Sequence, residues 1–290
     1  SSALPRGDSG ARKGRDMNGT ALHQRWQSAR RDELAGTDSW LGLIGLTWLE
    51  PGTNAVGSAA DCTVRLPSGP DHLGSLRVIG SDLSWQAAAA SGARVQAGGA
   101  LVDGWQILFS DRKGHPSRVA VGALEFFVIE REGRLAVRLR NCNWAAGRML
   151  PLLDVYDYDP AWRIEALWQP LAVPQRMEVP TVAGDLKIAD VTHRAVFEMA
   201  GETIGLLPVS VDDAGVFFVF RDRSSGRETY GAGRFLKVPV AVDGKITLDF
   251  NFAYNPPCAF TPFATCPLPP PDNWLHFAVP AGEKKWDKGV

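Results

Sequence analysis

Short alternating segments dominate the sequence after Trp40. Apolar, β-branched and aromatic residues alternate with polar ones or cluster, and glycines separate the segments. The segments before residue 143 are "CTVRL" (62–66), "SLRVI" (75–79), "ARVQA" (93–97), "WQILF" (105–109), "ALEFFVIE" (123–130) and "RLAVRL" (134–139). "REGR" (131–134) is typical of a hairpin turn, with Gly133 free to take positive φ. Such short, regularly spaced strands predict a sandwich-like half.

The strand pattern stops over 143–162 and then resumes. Pro151 and Pro160 flank an acidic aromatic segment there, which we interpret as a linker between two halves. The later segments are "RIEALWQ" (163–169), "LKIADV" (186–191), "RAVFEM" (194–199), "VFFVFRD" (216–222), "RFLKVPV" (234–240) and "KITLDF" (245–250). "VDGK" (242–245) is a strong Asp-Gly hairpin signal. We therefore predict an antiparallel sheet or barrel over 163–290.

A proline-rich loop follows the segment at 245–250. "NPPCAFTPFATCPLPPP" (255–271) interrupts the strand pattern, and a second strand is expected after it, before Trp286. Proline restricts the backbone, so we expect a stiff loop that holds its side chains in place at low entropic cost.

The stretch from Thr20 to Gly36 predicts a helix. Thr20 is a suitable N-cap, Gly36 a suitable end, and an apolar stripe runs through Leu22, Trp26 and Leu34. The other face is charged, so we expect the helix to pack on the outside of the sandwich-like half, making one unit of 20–142. The preceding residues 1–19 have no hydrophobic signal core and are interpreted as a disordered lead-in or a cloning remnant, with Met17 as a plausible native start.

Composition and net charge limit the classes of partner that the protein is expected to bind. The 290-residue chain carries a formal net charge of −1, with 45% hydrophobic and 22% charged residues. A near-neutral chain does not favour nucleic acid or an acidic membrane surface, both of which select basic proteins. No apolar run approaches the roughly 20 residues of a membrane helix. We expect a small-molecule ligand and a cytoplasmic location, or a secreted one if a signal has been removed; the oligomeric state stays open.

The common catalytic and metal-binding motifs are missing from the sequence. There is no G-x-S-x-G elbow, "GAGRFL" (231–236) lacks the third glycine of a dinucleotide loop, and "DGKIT" (243–247) fails the phosphate-loop pattern. The five histidines are scattered and no C-x-x-C pair occurs, so we predict neither a metal nor a cofactor. Cys258 and Cys266 could form a disulfide if the loop folds back, or stay as thiols in a reducing cytosol.

Residues 49–78 weakly resemble the forkhead-associated phosphopeptide-binding sandwich in their order of Val-Gly, polar turn, Leu-Pro and His-containing loop. The sequence differs from that family at the positions that bind the phosphopeptide. Ser58 stands where that family has a peptide-gripping arginine, and Ser68 and His72 are four apart instead of three. A sandwich of similar shape without phosphopeptide binding is the preferred interpretation.

The later half resembles DUF1684, a family of uncharacterised bacterial and archaeal proteins. The motifs that carry the resemblance are F-x-D-x-[TS]-S-G, T-Y and G-R within 220–234, D-F-N-x-A-Y-N-P-x-C-A at 249–259, C-P-x-P-P-x-x-N-x-L at 266–275, and A-G-E-K at 281–284. "WLGLIGLTWLEPGTNAVGS" (40–58) resembles a further block of the family. The resemblance implies no reaction, because the family has no established activity.

Polar residues at the ends of buried strands are the candidates for a site. Asp249 and Asn251 share one face by alternation, and Arg234 on the preceding strand can pair with the buried carboxylate. Alternatively, these groups only hold the loop through hydrogen bonds to its backbone. We predict Asp249, Cys258 and Tyr254 as catalytic residues, and Arg234, Asn251, Asn255 and Tyr230 as substrate-binding residues.

Two of these assignments have explicit alternatives. A nucleophilic Cys258 needs a pKa lowered by Arg234 or by a histidine such as His72 or His276, and otherwise it is an inert buried thiol. Glu283 is either an acid or base acting with Asp249, or an exposed residue of the tail.

Two functional hypotheses follow. The first is an enzyme, hydrolase- or lyase-like, acting on a small anionic or carbonyl-containing molecule in a pocket beside the loop of 249–266. The second is a noncatalytic ligand- or peptide-binding module built on the sandwich-like half.

Overall fold

The predicted mainly β class with an N-terminal helix is confirmed. A computed structural model of the chain describes residues 9–146 and 152–286. Within them, one α-helix, α1 (Ser9–Ala35), precedes eighteen strands that pair into four sheets. None of the described helices has the length and apolar character needed to cross a bilayer.

The chain divides into two compact units, and the first to be described comprises residues 35–149. Its strands are β1 (Leu43–Trp48), β2 (Gly52–Gly57), β3 (Val64–Arg65), β4 (Gly74–Ile79), β5 (Asp82–Ala87), β6 (Arg94–Gln96), β7 (Leu101–Val102), β8 (Trp105–Leu108), β9 (Arg118–Val121), β10 (Leu124–Arg131) and β11 (Arg134–Asn141). One sheet has the order β1-β11-β10-β9-β6 and the other β3-β2-β4-β5-β8-β7. Buried side chains of both sheets form one core, in which the rings of Trp85 and Phe126 lie 5.4 Å apart. We call this the sandwich unit.

The predicted hairpin turns are present in both halves of the chain. Arg131 pairs with Arg134 at the end of β10 and β11, while Glu132 and Gly133 between them have φ of 48° and 74°. In the later half, Asp243 and Gly244 have φ of 50° and 71°. Two successive residues of positive φ match the right-handed twist of the flanking strands.

The second unit comprises residues 1–34 and 150–290, and we call it the C-terminal unit. Its strands are β12 (Arg163–Pro180), β13 (Leu186–Met199), β14 (Glu202–Leu206), β15 (Ser210–Asp212), β16 (Gly215–Phe220), β17 (Arg234–Val238) and β18 (Lys245–Asp249). An antiparallel sheet of order β14-β13-β12-β18 forms a half-barrel, and a second sheet has the order β15-β16-β17. Side chains from both sheets, including Phe197, Phe218 and Leu248, share a core.

Helix α1 belongs to the C-terminal unit, so the expected packing on the sandwich-like half is wrong. The ring of Trp26 lies 5.4 Å from that of Phe252, and buried His23 bonds to the carbonyl of Asn251. Leu22, predicted to be part of the buried stripe, is exposed. An amphipathic stripe shows that a helix packs on something but does not specify which sheet it packs on.

Two further expectations differ from the structure. The helix begins at Ser9, so residues 9–19 of the predicted lead-in are helical, and residues 1–8 lie outside the described part of the chain. Within the described residues no strand follows the proline-rich loop; the chain there forms short 3-10 turns at Pro257–Ala259 and Pro271–Asn273. The linker at 143–162 stays a prediction, since 147–151 are also outside the described residues.

Candidate functional site

Arg234 begins β17 and is fully buried. Its guanidinium donates to the Asp222 carboxylate at 2.9 Å and to the carbonyl of Val279 at 2.8 Å, and a further short bond reaches the carbonyl of Ala281. Burial lowers the pKa of Arg234, against the raising effect of Asp222. The predicted substrate-binding role of Arg234 is therefore not supported, because its side chain is enclosed by protein groups.

Asp222 completes this buried cluster. One carboxylate oxygen accepts from Arg234, and the other accepts the backbone N–H groups of Ser224 at 2.7 Å and Val279 at 3.2 Å. The pair thus ties β16, β17 and the segment 279–283 together. A buried carboxylate and guanidinium are retained when both are bonded, because either one alone would be an uncompensated buried charge.

Glu283 is buried in the same unit, so the exposed-tail interpretation is wrong. Its carboxylate accepts from Nε of Arg30 at 2.6 Å and from the backbone N–H of Asn255 at 2.7 Å. Burial raises the pKa of Glu283, while Arg30 acts in the opposite direction. Gly282 makes this approach possible, since its φ is 78° and a Cβ would lie 2.4 Å from the carbonyl oxygen of Ala253. The carboxylate therefore links helix α1 to the loop.

Asn251 and Asn255 are also enclosed by the protein. Asn251 donates to the carbonyl of Asp159 and to Oδ1 of Asp249, both at 2.9 Å, and its Oδ1 accepts from the N–H of Asp159. Asn255 donates to the carbonyl of Lys284 at 2.8 Å. Both side chains hold backbone in place, as the alternative interpretation proposed for Asn251 but not for Asn255, and neither is positioned to bind a substrate.

Asp249 and Tyr254 line a groove in the C-terminal unit, with a volume of about 970 Å³. Helix α1 forms one wall through Leu22 and Trp26, and Phe252 lies beside them. The other walls come from β12, β18, the last two residues of β17 and the residues that follow it. The proline-rich loop itself contributes little, because the lining from this region ends at Tyr254.

The groove carries charged groups at its edge. Arg163, whose side chain is 55% exposed, pairs with Oδ2 of Asp249 at 3.1 Å. Lys245 and Glu165 form a second, exposed pair at 2.8 Å. The Arg30 guanidinium lies over the ring of Tyr254, 5.1 Å from its centroid, and burial raises the pKa of Tyr254.

Cys258 lies in a different environment, since it is not among the groove-lining residues. It packs against the buried thiol of Cys266, and both cysteines are free. A hydrogen bond from Cys266 lowers the pKa of Cys258 to about 7, against the raising effect of burial. Tyr230 donates from its hydroxyl to the carbonyl of Cys258 at 3.1 Å, and burial raises the pKa of Tyr230.

The predicted single pocket is thus divided. Asp249 and Tyr254 line the groove, Cys258 and Tyr230 lie together elsewhere, and the three remaining candidates are buried. The source expected to activate Cys258 was Arg234 or a histidine, whereas the structure supplies the neighbouring thiol of Cys266.

Sequence reasoning missed four residues that organise the site: His23, Arg30, Asp222 and Arg163. Asp222 lies in the motif "FRDRSSG" (220–226), where a carboxylate at a strand end signals a need for a partner. Arg30 and His23 carried no such signal, because helical spacing does not reveal a partner more than 200 residues away.

Metal ligands do not converge at the groove among the described residues. The group of His, Cys and Asp that does converge is Asp61, Cys62 and His72, in the sandwich unit.

The comparisons with known proteins identify the family. Residues 149–284 match DUF1684, described as a protein family of unknown function, and the chain belongs to this family. The solution NMR structure of an uncharacterised protein from Haloarcula marismortui is 33% identical in sequence; the match covers 46% of this chain and 75% of that chain, with a TM-score of 0.39. No curated protein matches the chain.

The buried Arg234–Asp222 pair leads to a stability prediction. Arg234→Ala leaves a buried carboxylate without its cation, so the free energy of unfolding of the C-terminal unit should fall by about 3–5 kcal/mol. Lys237→Ala is the matched control, since Lys237 is exposed on the same strand and should change stability by less than about 0.5 kcal/mol. Chemical denaturation measures both; equal losses in the two variants would contradict the assignment.

Proposed function

We propose that the C-terminal unit binds a small molecule with an apolar body and an anionic or carbonyl-bearing end. The observation that carries this proposal is the groove of about 970 Å³ lined by Asp249 and Tyr254. Small-molecule sites have volumes of about 300–1,000 Å³ and combine an apolar lining with a few placed polar groups. This groove has both properties.

The apolar lining supports binding of an apolar body. Leu22, Val240 and Val242 line the groove and are 49%, 46% and 66% exposed. Trp26 and Phe252 add aromatic surface to the same wall. Covering apolar surface of this kind contributes about 25 cal/mol per Å² to binding. A ligand with a hydrocarbon or ring portion would therefore bind more tightly than a wholly polar one.

The polar groups support an anionic or carbonyl end. Arg163 uses one bond to Asp249 and is otherwise exposed, so other donors of its guanidinium face solvent. The hydroxyl of Tyr254 makes no hydrogen bond to any residue in the described ranges. A carboxylate or carbonyl oxygen in the groove would accept from these two groups, and Asp249 would orient Arg163.

Dodecanoate is a suitable probe, because it has a flexible apolar chain and one carboxylate. We expect one molecule to bind per chain, and Arg163→Met to weaken binding about tenfold or more by removing a charge-assisted hydrogen bond worth about 1.5–3 kcal/mol. Isothermal titration calorimetry below the micelle concentration measures the affinity.

Arg176→Met is the matched control for this experiment. Arg176 lies on the same strand, β12, with a 77% exposed side chain, and does not line the groove. The methyl ester of dodecanoate keeps a carbonyl acceptor but carries no charge, so Arg163→Met should weaken its binding less than that of dodecanoate. An equal loss of dodecanoate affinity in both arginine variants, or no stoichiometric binding, would count against the proposal.

Enzymatic activity, hydrolase- or lyase-like, is the second candidate. The observation that favours it is the pKa of Cys258, lowered to about 7 by the hydrogen bond from Cys266. A thiol with this pKa is substantially ionised at neutral pH, and the thiolate is the nucleophilic form. Attack by the thiolate sulfur on the carbonyl carbon of an activated ester would form a C–S bond, break the ester C–O bond and release the alcohol or phenolate. Water would then hydrolyse the thioester to a carboxylic acid and return the thiol.

Alkylation by iodoacetamide tests the reactivity of Cys258. Its rate should rise with pH around a midpoint near 7, because deprotonation produces the reactive thiolate. Cys142, whose pKa is raised by burial, is the internal control and should react only at higher pH. Cys266→Ala should move the Cys258 midpoint upward, whereas Cys266→Ser, which keeps a donor, should move it less. Mass spectrometry of the labelled peptides gives each rate.

A catalytic role of Cys258 also predicts the behaviour of two cysteine variants. Hydrolysis of p-nitrophenyl acetate should be lost in Cys258→Ala and kept in Cys142→Ala. A Cys258 midpoint near that of Cys142, or turnover that survives Cys258→Ala, would reject thiol catalysis and leave the binding proposal standing.

A further inference from the structure

Three metal-ligating side chains of the sandwich unit, none of which takes part in the proposed function, converge on one another. Asp61 and Cys62 lie in the turn between β2 and β3, and His72 lies in the loop that precedes β4. One ligand atom from each lies within 4.8 Å of the others. Nε2 of His72 is 3.1 Å from the Asp61 carboxylate.

Backbone contacts fix this arrangement. The N–H groups of Ser58 and Ala59 donate to the carbonyls of Pro70 and Asp71, at 3.0 and 3.1 Å. Gly57 permits the approach, because a Cβ at this position would lie 2.0 Å from the carbonyl oxygen of Asp71. The two segments that carry the ligands are therefore held together by main-chain bonds before any ion binds, which lowers the entropic cost of assembling a site.

The side chains differ in exposure in a way that suits an open site. Cys62 is buried, while the side chains of His72 and Asp61 are 54% and 70% exposed. A metal held by these three ligands would rest on the thiol at its inner side and face solvent on the outer side. Its fourth position would be open to water or to another ligand.

We propose that Asp61, Cys62 and His72 form a binding site for a thiophilic divalent cation, with Zn²⁺ as the best match. Thiolate, imidazole and carboxylate are the zinc ligands of proteins, at about 2.0–2.3 Å from the metal. Tetrahedral geometry at these lengths places ligand atoms about 3.5 Å apart. Side-chain rotations that move the ligand atoms by about 1 Å would therefore bring all three to bonding distance from one ion. A hard cation such as Mg²⁺ prefers oxygen ligands and does not fit this set.

The spacing explains why the sequence did not predict this site. Cys62 and His72 are ten residues apart, and Asp61 adjoins the cysteine, so no C-x-x-C or paired-histidine motif is present. The convergence depends on the pairing of the loop before β4 with the turn after β2.

Cobalt titration of the reduced full-length chain under anaerobic conditions tests the proposal. Co²⁺ reports its ligands spectroscopically, so we expect one equivalent to give a thiolate-to-cobalt charge-transfer band and the visible bands of tetrahedral coordination. Zn²⁺ should displace them. Cys62→Ser should abolish the charge-transfer band, and His72→Gln and Asp61→Asn should each weaken Co²⁺ binding at least tenfold.

Matched variants separate this site from the other thiols. The Cys258→Ser/Cys266→Ser double variant and Cys142→Ser should keep the bands and the affinity. Asp61 and His72 are exposed, so their variants should also keep the wild-type melting temperature in the absence of metal, which guards against a simple loss of folding. Bands that survive Cys62→Ser, affinity unchanged in both exposed variants, or no stoichiometric band in wild type would each overturn the proposal.

Discussion

The C-terminal unit depends on one buried charge. Arg234 has no exposed surface, so its guanidinium is stabilised only by the protein groups that surround it. The Asp222 carboxylate supplies the opposite charge at 2.9 Å, and the carbonyls of Val279, Ala281 and Glu283 accept from the two terminal nitrogens. Those carbonyls lie outside the four sheets, and within the described residues the β pairing of this segment is limited to an isolated bridge between Val155 and Glu283, so the Arg234–Asp222 pair adds the main side-chain anchor there.

This constraint extends to the groove through a short series of contacts. With segment 279–283 held, Glu283 is positioned to accept from Arg30 of helix α1 and from the backbone of Asn255. Arg30 in turn lies over Tyr254, and both line the groove. The helix wall and the wall at Tyr254 are therefore set by the same buried cluster. The polar residues at the strand ends of the C-terminal unit mainly bond to protein groups that position the walls of the groove. Few of them line the groove themselves.

The sequence predicted what local pattern determines. Alternation placed most of the longer strands, and Asp-Gly and Glu-Gly dipeptides placed two hairpins, since positive φ restricts the choice of residues. The sequence did not identify partners that are distant in the chain. Helix α1 was assigned to the wrong unit. Arg234 was expected to pair with Asp249 but pairs with Asp222, and Glu283, expected to be an acid or base or an exposed tail residue, is buried against Arg30. Buried and ligand-facing polar residues have the same pattern in a sequence, because both interrupt an apolar strand. Asp249, the last residue of β18, and Tyr254, which lies beyond the end of that strand, both line the groove, and the catalytic role expected of them stays a prediction.

Amide hydrogen exchange in the Asp222→Asn variant tests the central claim most directly. The amide of Val279 donates to Asp222, and that of Glu283 donates to the carbonyl of Ala253. If the Arg234–Asp222 pair holds segment 279–283, protection of these two amides should fall at least tenfold more than that of the strand amides of β16. Equal loss across the C-terminal unit, or unchanged protection at Val279 and Glu283, would contradict the account.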